Sequence, residues 1–407
     1  MSKRKIAVFT GNRAEYGLQY PILKALQKNR DIECLLMVSG AHLDNNFGST
    51  LTEIKNDGFD VACEVKIEMP ADTAFSTPQA IGAGIISISN ALRELAPDIF
   101  VVYADRFEGF AAVVAATQMN IPTAHIEGGD ITEGGALDDS VRHAMTKLSH
   151  LHFTTNDEAT NRIIAMGEEA WRVHTVGFPA IDLISNENYA SADEIRKSVQ
   201  IDTSRPVVLF TQHSVTTEVD DATGQVRASI AALKRVANEG IQVIITYPNN
   251  DAGGKAIISE LDRLDAEQLK NIVVCRSLGR YIYHGILALG LDRDLRIVCA
   301  GNSSSGIKET PVFGCPTVNI GSRQSGRLRG SNVVDAGYDE EEIYAAIMGA
   351  LFDDDKREAC FNTENPYWKG GAGAKIAEIL AGVSLDQKLI RKRMMILGNG
   401  KVSAISQ

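Results

Sequence analysis

The chain has 407 residues, 44% of them hydrophobic and 23% charged, an ordinary globular composition. That length exceeds what one core serves, so two domains are expected. A formal net charge of -11 argues against nucleic-acid and anionic-membrane partners, and no apolar run is long enough to cross a bilayer.

The start, MSKRKIAVF, is basic but passes straight into a strand pattern, without the apolar region or cleavage site of a signal peptide. The six cysteines are scattered, with no CxxC pair, mostly in apolar contexts that suit buried reduced thiols. A cytoplasmic location is the expectation.

Lys5–Thr10 reads as a buried strand, followed by the tight loop GNRAEYGLQ into a helix ending near Gln27. Ile32–Ser39 is a second strand, then a helix over Gly48–Asp57, with a third strand within Asp60–Ile67. Thr77 and Pro78 suit an N-cap and first helical position, and Ile81, Ile85, Ile88 and Leu92 mark the helical face that follows. Strands at Asp98–Tyr103 and from Ile121 to Ile126 come next, with a helix between them through Ala112 and Val114. Strands alternating with helices over short connections imply a parallel, doubly wound sheet.

The segment after Ile126 holds Glu127, Asp130, Glu133, Asp138 and Asp139 in a glycine-spaced loop. A helix over Ser140–Ser149 follows, with Val141, Ala144, Met145 and Leu148 on one face and Asp138 or Asp139 as a possible N-cap. Carboxylates beyond a strand end are suited to acid/base work, because like charges push their pKa values apart. Arg13 and Glu15 follow the first strand, and Asp105, Arg106 and Glu108 follow Asp98–Tyr103. All strands of a parallel sheet end on one side, so these loops converge on one crevice. Each feature alone also fits a capped turn or a solvated acidic loop.

Short strands at Leu151–Thr155 and Arg172–Val176 flank a helix over Asp157–Met166. The polar stretch from Asn186 to Pro206 is read as the domain junction. The pattern then restarts, with strands at Val207–Thr211, Gln242–Tyr247, Asn271–Cys275, Arg296–Ala300 and Pro316–Ile320. Helices fill Gln225–Asn238, Lys255–Leu264, Tyr281–Leu289, Ser305–Phe313 and Glu340–Phe352, and a last one covers Ala374–Ala381.

In this half His213, then Asn249, Asn250 and Asp251, then Asn302, Ser303, Ser304 and Ser305 each sit just past a strand. Small and hydroxyl residues entering a helix make a natural phosphate cradle, or simply a cap. Glu309 is placed to accept from ribose hydroxyls or to face solvent; Arg323, Arg327 and Arg329 face a diphosphate or solvent. His125 lies within a strand and reads as a satisfied core residue. No HExxH, GxSxG or Walker A pattern occurs, and no GxGxxG follows the first strand, which disfavours a metal site, an esterase, a P-loop hydrolase and a nicotinamide dehydrogenase.

TGNRAEYG, ADRFEGF, HIEGGDITEG, LDDSVRHAMTKLSHLHF, QHSVTTE, PNNDAG, GNSSSGIKE and IGSRQSGR occur in that order. As a set, from about residue 5 to residue 382, they resemble the hydrolysing UDP-N-acetylglucosamine 2-epimerases of sialic acid-type biosynthesis. The resemblance implies a GT-B-like α/β fold, two Rossmann-like doubly wound domains facing across a cleft. Residues 1–187 would carry the catalytic carboxylates, 188–370 would bind UDP, and 371–407 would pack back on the N-terminal domain.

It further implies anti-elimination of UDP to a glycal and syn-hydration to the free 2-epimer, without cofactor or metal. Asp105, Glu127 and Asp138 match the family's catalytic carboxylates, with base and acid unassigned. Arg13 and Arg106 match residues near sugar or phosphate, His213 one near the diphosphate, Ser303 and Ser304 phosphate ligands, Glu309 a ribose contact and Arg323 a further cleft residue; Glu15, Asn249 and Asp251 are counted with them as substrate-binding residues. The partner is a UDP-sugar, with no nucleic acid or membrane, and the enzyme is expected to be a homo-oligomer, dimer or tetramer.

The loop EGGDITEGGALDD is about two residues longer than the family pattern and adds Glu133. That keeps UDP-N,N'-diacetylbacillosamine, on the way to legionaminic acid, as the alternative substrate to UDP-N-acetylglucosamine. A non-hydrolysing epimerase, a GT-B glycosyltransferase and an idle UDP-sugar sensor rank below. The tail after Val383 lies outside the resemblance and reads as an oligomer contact or as disordered.

Overall fold

The computed structural model describes residues 3–43, 50–67, 75–132, 137–215, 217–249, 253–398 and 401–404. The chain forms two compact units: Met1–Asp130, Leu137–Asp182 and Tyr367–Gln407 make one, Ile131–Ala136 and Leu183–Pro366 the other.

The first unit is built on seven strands: β1 Arg4–Thr10, β2 Ile32–Ser39, β3 Val61–Val65, β4 Ile99–Tyr103, β5 Thr123–Ile126, β6 Leu151–Thr154 and β7 Val173–Thr175. They pair in parallel in the order β3-β2-β1-β4-β5-β6-β7. Successive side chains of a strand face opposite sides of the sheet, and β1 shows it. Ile6 and Val8 pack with Tyr16, Ile22 and Leu26 of the first helix, while Ala7 and Phe9 pack with Ile88, Leu92 and Ala112 on the other face. Both faces are covered, so β4 is buried along its whole length.

The second unit repeats the plan with β8 Val207–Thr211, β9 Gln242–Thr246, β10 Ile272–Cys275, β11 Ile297–Gly301, β12 Thr317–Ile320 and β13 Val333–Ala336. Their order is β10-β9-β8-β11-β12-β13, again parallel. Val208 and Phe210 enter one core, Val207 and Leu209 the other.

Several expectations need correction. β13 was not expected, because VVDA is short and sits at a sheet edge with two exposed positions. The helix assigned to Thr77 as N-cap runs Ser76–Leu95, with Phe75 at the cap position and no side-chain cap bond. Asp138 and Asp139 lie inside the first turn of the helix Leu137–Leu148 rather than before it. The expected apolar face does pack, with Met145 in the core and Val141 and Leu148 against it, but the helix also buries polar Asp139, Arg142 and Thr146, which was not expected. The expected helix Ser305–Phe313 is α-helical only over Ser305–Lys308 and continues as a 3-10 turn, Thr310–Phe313. The polar stretch 186–206 contains a helix, Ala192–Val199, with a Ser191–Glu194 capping box and buried Ile195 and Val199.

The C-terminal segment is held by specific bonds. Asp182 accepts from Ala372 N at 3.0 Å and Gly373 N at 2.7 Å, at the start of the helix Ala372–Gly382. Arg4 donates to Leu380 O and Ala381 O at 2.7 and 2.6 Å at its end. Both charges complement the helix dipole. Gly373 lets this helix lie close to the first one, since a Cβ there would stand 2.7 Å from Pro21 O. Beyond it, fully buried Arg172 donates to the carbonyls of Lys388, Leu389 and Arg391 at 2.7, 2.8 and 3.2 Å. The part of the tail through Lys392 is therefore anchored, not disordered.

Candidate active site

In the first unit the winding direction changes between β1 and β4, where open α/β sheets bind ligands beyond the strand ends. Two of those ends carry non-glycine residues in the left-handed region, Ala104 after β4 (φ 53°) and Glu127 after β5 (φ 64°). Each such residue costs on the order of 1–3 kcal/mol, and strain of this kind gathers at functional sites. Bonds from Ala104 N to Ile126 O (3.0 Å) and Glu127 N to Phe153 O (2.9 Å) hold the two residues in place. Gly129 (φ 75°) then lets the chain pass the next helix; a Cβ would stand 2.4 Å from Ala159 O.

The main residue that sequence reading missed is Arg142, which is 2% exposed. Its Nη2 meets Asp105 Oδ2, and its Nη1 donates to Asp139 Oδ1 and to the Asp130 carbonyl, both at 2.8 Å. One guanidinium thus fixes two carboxylates and the loop after β5. The available signal was spacing: Arg142 lies one helical turn after Asp138 and Asp139. Asp138 is partly buried in that first turn, and Glu127 is buried.

Glu15 is buried, with Oε2 accepting from Gly11 N at 2.7 Å while its own N–H donates to the Asn12 side chain at 3.0 Å. It therefore helps close the start of the first helix. Burial and the neighbouring Glu108 push its pKa up to about 8. Burial also raises Glu108, opposed by Arg106, whose Nε lies 3.6 Å from Glu108 Oε2. The Tyr103 hydroxyl, buried among these acids, falls short of hydrogen-bond geometry to any described residue. Burial and then the charge of Glu127 raise it well above the usual tyrosine value, so it stays a proton donor. His125 is a core residue, bonded to Thr146 Oγ1 (3.1 Å) and Ala104 O (2.7 Å).

In the second unit the hub is Asn302, fully buried after β11. Its side chain brackets His213, accepting from His213 N at 2.6 Å and donating to His213 O at 2.9 Å. Its carbonyl accepts from Arg323 Nη1 at 3.2 Å and Gln324 Nε2 at 2.8 Å. Burial, and then the charge of Arg323, lower His213 to about 3, so the ring is neutral at neutral pH. Its Nδ1 accepts from Asn249 N at 3.0 Å, which places the ring proton on Nε2 as a donor. The Ser303 hydroxyl accepts from Ser305 N at 3.4 Å, and Ser303 and Ser304 are both partly buried. Glu309 is buried, with Oε2 bonded to His284 Nε2 at 2.8 Å and Ser305 Oγ at 3.1 Å.

Arg327 does not face solvent: it is buried and held by Ile131 O (2.6 Å), Thr132 Oγ1 (2.7 Å) and Gln324 Oε1 (2.8 Å). Arg329 pairs with Asp335. The side chain of Arg13, and Glu133, Asn250 and Asp251, lie outside the described residues. Among the described residues no group of three or more His, Cys, Asp or Glu side chains is arranged to hold a metal ion. No helix among them is long and apolar enough to cross a membrane.

The two units, one with carboxylates and one with amides and hydroxyls at its strand ends, are each a doubly wound, Rossmann-like α/β domain. Residues 24–381 match the family model for UDP-N-acetylglucosamine 2-epimerase, and the chain belongs to that family. It is 32% identical to the hydrolysing UDP-N,N'-diacetylbacillosamine 2-epimerase of Legionella pneumophila over 96% of this chain and 98% of that protein. It is 29% identical to the UDP-N-acetylglucosamine 2-epimerase of Neisseria meningitidis, over 85% and 87% of the two chains. The crystal structure of UDP-GlcNAc 2-epimerase from Neisseria meningitidis bound to UDP-GlcNAc shares the fold, with a TM-score of 0.78 at 19% identity over 93% of this chain and 99% of that one.

Proposed function

We propose that the protein hydrolyses a UDP-2-acetamido sugar with inversion at C2, releasing UDP and the free 2-epimer. The observation that carries this is the set of acids beyond β4 and β5, Asp105, Glu127 and Asp138, with buried Arg142 bound to Asp105 and to Asp139, the neighbour of Asp138. In the first step a base takes the C2 proton while the C1–O bond to UDP breaks, giving the glycal. In the second, water adds its hydroxyl to C1 and a proton returns to C2 on the other face. Asp105, Glu127 and Asp138 are the groups we assign to these transfers, with Arg106 and Glu15 beside the sugar. His213 Nε2, Ser303, Ser304 and Arg323 serve the diphosphate, with Asn249 fixing the His213 tautomer, and Glu309 serves the ribose.

UDP-N-acetylglucosamine, yielding N-acetylmannosamine for nonulosonic acid synthesis, is the first substrate reading. UDP-N,N'-diacetylbacillosamine, towards legionaminic acid, is supported by the Legionella relative and by the lengthened loop after Glu127. Side-by-side UDP-release assays decide between them: the preferred sugar is expected to be turned over at least about tenfold faster in kcat/KM. Release from neither overturns the function. We also propose a cytoplasmic location, supported by six free cysteines. A homo-oligomer, dimer or tetramer, is proposed as well, supported by exposed apolar Phe75 and Ile86 at the start and along the solvent side of the helix Ser76–Leu95.

A further inference from the structure

We propose that His284 is a positioning residue for nucleotide recognition: it fixes the Glu309 carboxylate so that Oε1 meets the ribose hydroxyls. This rests on the reading of Glu309 as the ribose contact.

His284 lies on the helix Gly279–Ala288, and Glu309 at the join between Ser305–Lys308 and the 3-10 turn after it. They are 25 positions apart in sequence and both are buried, so their 2.8 Å contact is made by the tertiary fold. A carboxylate accepts, so Nε2 must carry the hydrogen and donate. Ser305 Oγ donates to the same oxygen at 3.1 Å. Both bonds end on Oε2, and Oε1 has no side-chain partner among the described residues. A carboxylate gripped on one oxygen keeps its plane fixed and offers the other oxygen to a ligand.

The remainder of the His284 ring argues that packing alone did not select it. Nδ1 is buried without a hydrogen-bond partner among the described residues. The ring lies against Phe313, with centroids 6.2 Å apart, and against Tyr283 at 6.3 Å. An apolar side chain would fill that site without leaving a nitrogen unpaired. What an apolar side chain cannot supply is the Nε2 donor to Glu309. No contact of His284 with substrate is invoked; its effect passes through Glu309.

The test is calorimetric binding of UDP and 2'-deoxy-UDP to the full chain and to four variants. The wild type should prefer UDP by on the order of tenfold or more, the range of a hydrogen bond to a charged group. His284→Phe should reduce that preference to about twofold, with 2'-deoxy-UDP affinity changed by less than about threefold. His284→Gln, whose amide can still donate to the carboxylate, should restore the preference. His284→Leu serves the same purpose should the larger ring disturb folding. A merely structural role would weaken both nucleotides equally and would not be rescued by Gln; that result overturns the proposal. If Glu309→Gln abolishes the preference while His284→Phe and His284→Leu keep it, the proposal alone is overturned. If Glu309→Gln keeps the full preference, the ribose reading falls and the proposal falls with it.

Discussion

The two units share one strand order and solve the same turn differently. β4 and β5 of the first unit occupy the places that β11 and β12 occupy in the second. In the second unit the left-handed positions at these ends are glycines: Gly301 (φ 115°), where a Cβ would stand 2.0 Å from Thr211 O, and Gly321 (φ 77°), where it would stand 2.1 Å from the Tyr338 ring. Gly321 N donates to Ala336 O at 2.8 Å, the bond that Glu127 N makes to Phe153 O at 2.9 Å. The first unit places Glu127 where the second has Gly321, and it carries Ala104 just past β4, whereas Gly301 is the last residue of β11. Glycine meets such φ values without strain; a glutamate there does not. The unit assigned to proton transfer accepts strain in order to aim a carboxylate. The unit assigned to UDP turns the chain freely and presents neutral amides, hydroxyls and the His213 Nε2 donor.

The largest effect that could break this contrast lies in the acids. Asp105→Asn, Glu127→Gln and Asp138→Asn should each lower turnover by roughly two to four orders of magnitude, while calorimetry still finds UDP bound. Near-normal turnover in all three would place the chemistry elsewhere. Next comes Arg142→Met, which leaves Asp105 and Asp139 buried without their shared cation. Urea unfolding should show a loss of about 3–5 kcal/mol in the first unit; a loss below 1 kcal/mol would mean that Arg142 organises nothing.

Acid should also separate the units. In the first, burial lowers His42, His150 and His152 to about 4 and His125 to about 3; in the second, His213 falls to about 3. The unfolded chain takes up protons near pH 6.5 that these folded residues refuse, so stability is full above 6.5 and declines towards pH 4. Each group contributes up to about 1.4 kcal/mol per pH unit in that window. Glu15, raised to about 8, acts oppositely: its contribution is present below about 4.5 and is lost as pH rises to 8. Four histidines outweigh it below pH 6.5. Trp171 and Trp368 both belong to the first unit, so tryptophan fluorescence should report its melting point falling faster with acid than that of the whole chain. Equal shifts would contradict the difference.

Ala104→Gly should be the mildest change, within about 1 kcal/mol. Relief of the left-handed strain offsets the added freedom of the unfolded chain.

Much of this was legible in the sequence because parallel strands buried on both faces read as continuous apolar runs, and KIAVFT, IFVVY and VVLFT fell where β1, β4 and β8 lie. β13 was missed because it is a short edge strand, half of it exposed. The strand-end acids and His213 were legible by position alone. The roles of Arg142 and Asn302 were not, since a buried arginine and a buried asparagine look like surface residues until their partners are known. The same holds for His284, whose partner comes from a distant helix.

The central claim is that C2 loses and regains a proton while UDP departs. Proton NMR in heavy water of the protein with UDP-N-acetylglucosamine, and separately with UDP-N,N'-diacetylbacillosamine, tests it directly. The account predicts free UDP together with a free 2-epimer that carries deuterium at C2 from at least one of the two. Release of UDP with C2 fully protiated, or two nucleotide sugars left intact, would contradict it.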